Sequence, residues 1–207
     1  AYIFNRLVDL DDYKVIKIIS EVSTKMSQGE LLQMEKAQDF QMNENIYMRL
    51  IYYKTASLLA ATCQIGALTS DNCDSEDEKK LRMFGENLGI AFQIKDDLLD
   101  YYGTEKNLGK PIGKDLLENI ITLPVLYSLN KADKNARSEI ISILQNGEDS
   151  KLPSVIQFVK ESGGIDYAEQ KADFFIRQAQ KYLDNYPDSP YKQSLILLSD
   201  YITSREK

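Results

Sequence analysis

Apolar residues recur at helical spacing along nearly the whole chain, and no stretch shows the strict alternation of apolar and polar residues that is typical of a strand. The spacing predicts helices over residues 1–8, 11–38, 44–70, 75–102, 115–130, 133–145, 152–161, 164–185 and 190–205. Asp12 or Asp11 is suited to begin the second helix and Asn43 the third, because their side chains can accept hydrogen bonds from free backbone N–H groups. With 207 residues to build a core, the sequence predicts one all-α domain over residues 1–207.

Three aspartates interrupt the helix predicted over residues 75–102. Asp96, Asp97 and Asp100 lie in the run AFQIKDDLLD, whose apolar residues are spaced to face a core. Like charges one turn apart repel each other, and more strongly where water is excluded. Gln93 lies on the same side of the helix, so the segment presents a compact patch of oxygen ligands. Such a patch suits Mg²⁺, although a solvated acidic face that merely ends a helix is the alternative.

Lysines accompany this patch in two other places. Lys54, followed by Thr55, interrupts an otherwise apolar helix, so its side chain either extends to the surface or pairs with an anion. Lys110 lies in the glycine-rich stretch 103–114, shortly before Asp115, and could meet a phosphate or lie in solvent. Aspartates, a divalent cation and lysines are together the parts of a diphosphate site. A diphosphate held in this way is a good leaving group, so no protein nucleophile is needed.

The composition narrows the chemistry further. The chain has no histidine, which excludes histidine-based general bases, Ser–His triads and the usual zinc sites. A net charge of -7 argues against a general nucleic-acid surface. Cys63 and Cys73 form no C-x-x-C pair, and we interpret them as reduced thiols of a cytoplasmic protein. The longest apolar run, over residues 57–68, is shorter than the roughly 18 residues that span a membrane.

Several motifs, in order along the chain, resemble those of the trans-isoprenyl diphosphate synthases. The run GENLGIAFQIKDDLLDYYGTEKNLGKPIGKDLLENIITLP, residues 85–124, resembles the second aspartate-rich motif of that family and the segments after it. Lys54-Thr55 matches a lysine–threonine pair, and the segment GELLQ, residues 29–33, resembles a G-E-x-x-Q motif. The C-terminal run GGIDYAEQKADFFIRQAQKYLDNYPDS fits the family's last helices. The sequences GTEKNLGKP and TLPVLYSL are most similar to bacterial long-chain enzymes that make prenyl tails for quinones.

The resemblance implies an isoprenoid-synthase fold, an antiparallel helix bundle around a deep central cavity. Two aspartate-rich helices would face each other and hold three Mg²⁺ ions on an allylic diphosphate. The diphosphate would ionise to an allylic carbocation, which the double bond of isopentenyl diphosphate attacks. A proton would then be lost, and the chain would grow by five carbons in each cycle.

The resemblance also implies roles for single residues. Three aspartates would serve the Mg²⁺ site: Asp96, Asp97 and Asp100. The allylic substrate or its diphosphate would be contacted by Lys54, Thr55, Gln93 and Lys110. Catalysis would rest on Lys54, Asp96 and Lys110, and Asp115 would support the metal shell through water.

The sequence departs from the family pattern in three respects. The family's first aspartate-rich motif and its arginine pair are absent, and DLDDYKV at residues 9–15 does not replace them. Helical spacing is already present at Ala1, so we expect the chain to be a fragment that lacks the N-terminal helices and the isopentenyl diphosphate site. We expect this fragment to be nearly inactive alone. Ile120 stands where the family often has a lysine before T-L-P, which removes one diphosphate contact. Product length cannot be read, because its determinants lie mostly near the absent motif.

The resemblance favours a long-chain trans-polyprenyl diphosphate synthase and implies that it acts as a homodimer, with at most transient membrane contact through its apolar product. One alternative is a non-catalytic or partner subunit of a heteromeric synthase. Another is a different diphosphate-ionising enzyme of the same fold, such as a terpene cyclase or a head-to-head condensing enzyme. The acidic motif argues against a purely regulatory subunit, and the Lys54-Thr55 pair with the GKP and TLP segments favours chain elongation.

Overall fold

The computed structural model describes residues 2–37, 39–40, 42–102 and 113–205. These residues fold into helices joined by short turns, and none of them forms a strand, which confirms the all-α prediction. In chain order the helices are α1 (Tyr2–Asp9), α2 (Tyr13–Lys36), α3 (Glu44–Ile51), α4 (Ser57–Leu68), α5 (Ser75–Tyr102), α6 (Lys114–Leu117), α7 (Leu123–Lys131), α8 (Lys134–Gln145), α9 (Leu152–Glu161), α10 (Gly164–Lys181) and α11 (Pro190–Ser204). A π-helical turn, Tyr52–Ala56, joins α3 to α4, and a 3₁₀ turn, Asp149–Lys151, precedes α9.

Capping side chains begin α2 and α3 as the sequence predicts. Asp12, rather than Asp11, begins α2, because its carboxylate accepts a hydrogen bond from the backbone N–H of Lys14 at 2.9 Å. Asn43 begins α3 by accepting one from the backbone N–H of Ile46 at 3.0 Å. These bonds satisfy N–H groups that have no partner inside the helix.

The prediction of one helix over residues 115–130 is wrong, because the segment divides into α6 and α7. Asn119 lies between them with a φ of 55°, in the left-handed region that ends helices. Thr122 is extended, and Pro124 lies in the first turn of α7, where its missing N–H breaks no helical hydrogen bond. The break leaves residues 120–122 irregular.

Helix α5 is at the centre of the packing and makes its most extensive contacts with α4 and α10. Phe84, Ile94 and Leu98 of this helix are at most 1% exposed. The second half of α5 contributes to a large apolar cluster with α3 and α6 to α10, and the first half to a smaller one with the end of α10 and α11. Because the helix is buried along both halves, packing fixes the position of the acidic turn near its end.

Two further sequence predictions concern the cysteines and the absence of a membrane-spanning run. Cys63 and Cys73 are both free thiols, and burial raises the pKa of the Cys63 thiol. No helix in the described ranges is both long and apolar enough to cross a membrane.

Candidate functional site

A cavity of about 190 Å³ lies beside the acidic turn of α5. It is bounded by residues of α2, α3, the π-helical turn, α5, α6 and the segment before α7. One part of its wall is charged or polar, and another part is aliphatic. The lining residues are Gln33, Tyr47, Leu50, Ile51, Lys54, Gln93, Asp96, Asp97, Asp115, Ile120, Ile121 and Thr122.

The cavity brings together most of the residues that the sequence singles out. Lys54, Gln93, Asp96, Asp97 and Asp115 all line it. Thr55 and Asp100 do not line the cavity but form hydrogen bonds with lining residues, Thr55 with Gln93 and Asp100 with Asp115. Lys110 lies outside the described residues.

Lys54 is held at the cavity by helix α2. The π-helical turn passes so close to α2 that a Cβ on Gly29 would lie 2.9 Å from the backbone nitrogen of Lys54. Only a residue without a side chain fits there unless the helices move apart. The Lys54 Nζ donates a hydrogen bond to Gln33 Oε1 at 2.6 Å and pairs with Glu30 Oε1 at 3.6 Å. The G-E-x-x-Q segment therefore supplies both the close approach and the acceptors that orient Lys54.

Thr55 is joined to Gln93 where the π-helical turn meets α5. Gly89 allows this contact, since a Cβ there would lie 2.6 Å from the Cα of Ala56. One helical turn further along α5, Gln93 accepts a hydrogen bond at Oε1 from the Thr55 hydroxyl at 2.7 Å. Two residues of the predicted substrate-contact set are thus bonded directly to each other.

Asp97 is the buried member of the acidic turn, with 7% of its surface exposed. The Tyr47 hydroxyl donates to its Oδ2 at 2.7 Å, and Gln93 Nε2 donates to its Oδ1 at 2.9 Å. Burial raises the pKa of Asp97 to about 7; the two hydrogen bonds oppose this, and the carboxylates of Asp115 and Asp96 add to it. Neighbouring side chains therefore engage both carboxylate oxygens of Asp97.

Asp96 lies on the open side of the turn, where 55% of its side chain is exposed. Arg205, which follows α11, has its Nη2 3.5 Å from Asp96 Oδ1 and donates to the backbone oxygen of Phe92 at 3.2 Å. The same guanidinium lies over the Phe92 ring, 4.3 Å from its centroid. The last helix thereby brings a cation to the first acid of the motif.

Asp100 links the acidic helix to the start of α6. Its Oδ2 accepts a hydrogen bond from the backbone N–H of Asp115 at 3.0 Å, and its backbone oxygen accepts one from Gly113 at 3.0 Å. Gly113 has a φ of 76°, a conformation that favours glycine. These bonds hold Asp115 beside the acidic turn.

The carboxylates at the cavity suit a hard divalent cation, although they do not form a complete ligand set by themselves. Asp96, Asp97 and Asp115 line the same cavity, and carboxylate oxygens are ligands that Mg²⁺ prefers. In the described part of the chain, no three acidic or cysteine side chains converge closely enough to hold a metal ion alone. Mg²⁺ is usually held by one or two carboxylates together with substrate phosphates, so the donor set fits a cation that binds with an anionic substrate.

Two residues of the site belong to no motif that the sequence revealed. Tyr47 bonds to Asp97 across a separation of 50 residues, and Arg205 reaches Asp96 from beyond the last helix. Tyr47 lies two helical turns before Lys54 on the same face, which is a weak signal that it faces the same site. A tyrosine that only packs in the core would show the same spacing. No pattern indicated Arg205.

Known proteins match the chain along nearly its whole length. The family model described as polyprenyl synthetase matches residues 1–161. The octaprenyl diphosphate synthase of Escherichia coli (strain K12) is 33% identical over 205 residues, which cover 99% of this chain and 63% of that protein. The heptaprenyl diphosphate synthase component 2 of Geobacillus stearothermophilus is 33% identical over 201 residues, which cover 97% of this chain and 62% of that protein. The chain thus spans less than two thirds of the length of these relatives.

Solved structures of similar proteins share the fold. The decaprenyl diphosphate synthase of Rhodobacter capsulatus gives a TM-score of 0.90 at 32% identity, with 99% of this chain and 63% of that one covered. The polyprenyl synthase of Caulobacter crescentus, complexed with calcium and isoprenyl diphosphate, gives a TM-score of 0.90 at 29% identity, with 99% and 62% covered. The predicted isoprenoid-synthase fold is confirmed, and the match over residues 1–161 establishes that this chain belongs to the polyprenyl synthetase family.

Proposed function

We propose that the whole protein is a trans-prenyltransferase that condenses isopentenyl diphosphate with an allylic diphosphate to give a linear polyprenyl diphosphate. The cavity beside α5 carries this proposal, because it combines Lys54 and three carboxylates with an aliphatic wall. An allylic diphosphate has the same two parts, an anionic head and an apolar chain. A long-chain product is supported by the similarity to octaprenyl, heptaprenyl and decaprenyl diphosphate synthases.

Lys54 is proposed to act on the diphosphate head of the allylic substrate. Its ammonium group is oriented by Gln33 and Glu30, and can donate to a diphosphate oxygen as well. Negative charge grows on the diphosphate as its bond to the allylic carbon breaks, and a fixed cation stabilises that charge. Lys110 is proposed to act in the same way, and the bonded pair of Thr55 and Gln93 to contact the allylic substrate.

The aliphatic wall is proposed to keep water from the reacting carbon. Leu50, Ile51, Ile120 and Ile121 line the cavity on its apolar side. Water would capture an allylic carbocation as an alcohol, so its exclusion favours attack by the double bond of the second substrate.

Mg²⁺ is the proposed cofactor, with Asp96, Asp97 and Asp100 as the residues that would hold it. Asp96 is an exposed ligand candidate, and Asp100 fixes Asp115 nearby through a backbone hydrogen bond. Bound Mg²⁺ would neutralise the diphosphate and stabilise its charge on departure. The calcium ion in the Caulobacter crescentus complex supports the choice of a divalent cation.

The resemblance also leads us to propose a homodimer, with no nucleic-acid partner and at most transient membrane contact. A cytoplasmic location is proposed because Cys63 and Cys73 are both free.

Mass spectrometry of the products tests the proposed reaction. The whole protein would be incubated with isopentenyl diphosphate, farnesyl diphosphate and Mg²⁺. We expect a ladder of linear prenyl diphosphates in five-carbon steps that ends in one long product, and we expect EDTA to abolish it. Cyclic hydrocarbons as the product would contradict the proposal.

A second candidate function is that of one subunit of a heteromeric synthase. The similarity to a heptaprenyl diphosphate synthase component 2 favours it, since that protein is named as one component of an enzyme. In this case the whole protein would give no ladder alone and would give one after its partner subunit is added.

A further inference from the structure

We infer that Tyr47 positions Gln93 for the proposed reaction, through a hydrogen-bonded relay made of Tyr47, Asp97, Gln93 and Thr55; this inference rests on the proposed function. The Tyr47 hydroxyl donates to Asp97 at 2.7 Å, Gln93 Nε2 donates to the other oxygen of Asp97 at 2.9 Å, and the Thr55 hydroxyl donates to Gln93 Oε1 at 2.7 Å. The relay joins three neighbouring segments, α3, α5 and the π-helical turn. Tyr47 is therefore a positioning residue, because it acts on the cavity through other side chains.

The two hydrogen bonds to Asp97 favour its ionised form, which only accepts. Asp97 accordingly accepts from the Tyr47 hydroxyl on one oxygen and from the Gln93 NH₂ group on the other. With its NH₂ group held there, the Gln93 amide must direct its oxygen to the Thr55 hydroxyl. A flip of the amide would place its oxygen against the Asp97 carboxylate, acceptor against acceptor, and would lose that hydrogen bond. The relay thus selects one orientation for the Gln93 side chain that lines the cavity.

Tyr47 forms the deeply buried end of this relay. It is 2% exposed, and its ring belongs to the large apolar cluster. Without its hydroxyl, Asp97 Oδ2 would lose the hydrogen bond from α3 that helps to fix the carboxylate against Gln93. A buried carboxylate oxygen that lacks a donor is costly, so Asp97 would adjust its position and hold the Gln93 NH₂ group less firmly.

A purely structural role for the Tyr47 hydroxyl is the competing explanation, and Tyr101 offers a comparison. Tyr101 is 3% exposed and lies on α5, one turn from Asp97. Its hydroxyl lies beside that of Thr122, and it makes no hydrogen bond to any member of the relay. Tyr101→Phe removes a buried tyrosine hydroxyl that lies outside the relay, and is therefore the matched control for Tyr47→Phe.

Steady-state kinetics of the whole protein test the positioning role. We expect Tyr47→Phe to lower kcat by about tenfold, a typical loss for one hydrogen bond to a charged group. The KM for isopentenyl diphosphate should change by less than about twofold, because the relay lies at the proposed allylic site. The melting temperature should fall only modestly, because one buried hydrogen bond is lost while the ring remains packed. Tyr101→Phe should leave kcat unchanged, and an equal loss in both variants would overturn the inference.

A double-mutant cycle separates action through Gln93 from a general loss of packing. Residues in one network are not additive in their effects. In a Gln93→Met background the relay is already broken, so adding Tyr47→Phe should lower kcat by less than about twofold. A further tenfold loss in that background would mean that Tyr47 acts independently of Gln93, which contradicts the relay.

A measurement that needs no turnover keeps the relay testable if the proposed function fails. Absence of elongation by the wild type would count against the proposed function alone. The side-chain amide resonances of Gln93, assigned in ¹⁵N-labelled protein by their loss in Gln93→Met, report the relay directly. We expect Tyr47→Phe to shift them and Tyr101→Phe to leave them in place. Unchanged Gln93 resonances in Tyr47→Phe would overturn the relay.

Discussion

Glu44, at the start of α3, accepts two hydrogen bonds from α10. The Tyr167 hydroxyl donates to its Oε2 at 2.7 Å, and Lys171 Nζ lies 2.8 Å from its Oε1. Burial raises the pKa of Glu44, but the bonds from Lys171 and Tyr167 lower it by more, so its pKa lies below the usual value. The contact holds the helix that carries Tyr47 against α10, and its strength should depend on pH.

The sign of that dependence follows from the lowered pKa. A carboxyl whose pKa is lower in the folded state stabilises the fold above its unfolded pKa, and this contribution is lost as the pH falls through the folded pKa. We expect Glu44→Gln to lower the free energy of unfolding by about 0.5–1 kcal/mol at neutral pH, because the groups are partly exposed. The difference should shrink below about pH 4.

Urea unfolding of wild type and variant at neutral and acid pH measures this difference. The exposed Glu139→Gln is the control and should change stability little at either pH. A Glu44→Gln effect that is the same at both pH values would show that the ion pair with Lys171 is not its source.

Single residues of the site divide into those with a local signal and those without one. Asp96 and Lys54 could be predicted because each places a charge within an apolar helical stretch. A charge in such a stretch is unusual enough to indicate a function even without knowledge of the fold. Tyr47 and Arg205 could not, since their partners Asp97 and Asp96 lie 50 and 109 residues away in sequence. A tyrosine in a core and an arginine near a helix end are ordinary until the fold brings their partners to them.

At the scale of helices, the site depends on two close approaches to the π-helical turn. Gly29 lets α2 reach Lys54, and Gly89 lets α5 reach Ala56. A π-helical turn within a longer helix is frequent at functional sites, and here it lies between the two approaching helices.

Adding one methyl group at Gly29 tests this arrangement. A Cβ there would lie 2.9 Å from the Lys54 backbone nitrogen and 3.1 Å from Tyr53 Cβ, so Gly29→Ala should force α2 away from the turn. We expect a loss of about 1–3 kcal/mol in the free energy of unfolding, measured with urea. A displaced α2 would also pull Gln33 from Lys54.

Gly66 in α4 provides the matched control. A Cβ at Gly66 meets no atom within 4 Å, so Gly66→Ala should raise stability by about 0.5–1 kcal/mol, as expected inside a helix. If Gly29→Ala proved as stable as Gly66→Ala, that result would contradict the close approach of α2 to the π-helical turn.

The elements themselves were predictable where periodicity alone decides them. The helix predicted over residues 75–102 agrees with α5, because its apolar residues repeat along its whole length. The break between α6 and α7 depends on the backbone conformation of Asn119. Pro124 was a local sequence signal for it, because proline is disfavoured inside a helix but tolerated in its first turn. No local sequence signal indicated the π-helical turn, since neither glycine nor proline occurs in residues 52–56.

At the scale of the whole molecule, the cavity exists only because distant segments meet. Lys54 comes from one helical turn, the acids from α5, and Asp115 with Ile120 from the segment around the α6–α7 break. Composition and motifs predicted the class of fold and most of the charged wall. The depth of the cavity and the partners of each acid follow from the packing of α5 against its neighbours, which no local pattern encodes.

Turnover of Asp96→Asn in the whole protein tests the central claim, that the acidic turn of α5 and its cavity form the site of prenyl transfer. We predict a fall in turnover of at least about a hundredfold, because a carboxylate that would serve a charged transition state is lost. Stability should change by less than about 0.5 kcal/mol, since Asp96 is exposed and its contact with Arg205 is long. Asp173→Asn, at an exposed acid beside another cavity on α10, should keep wild-type turnover. Equal turnover of Asp96→Asn and Asp173→Asn would contradict the account.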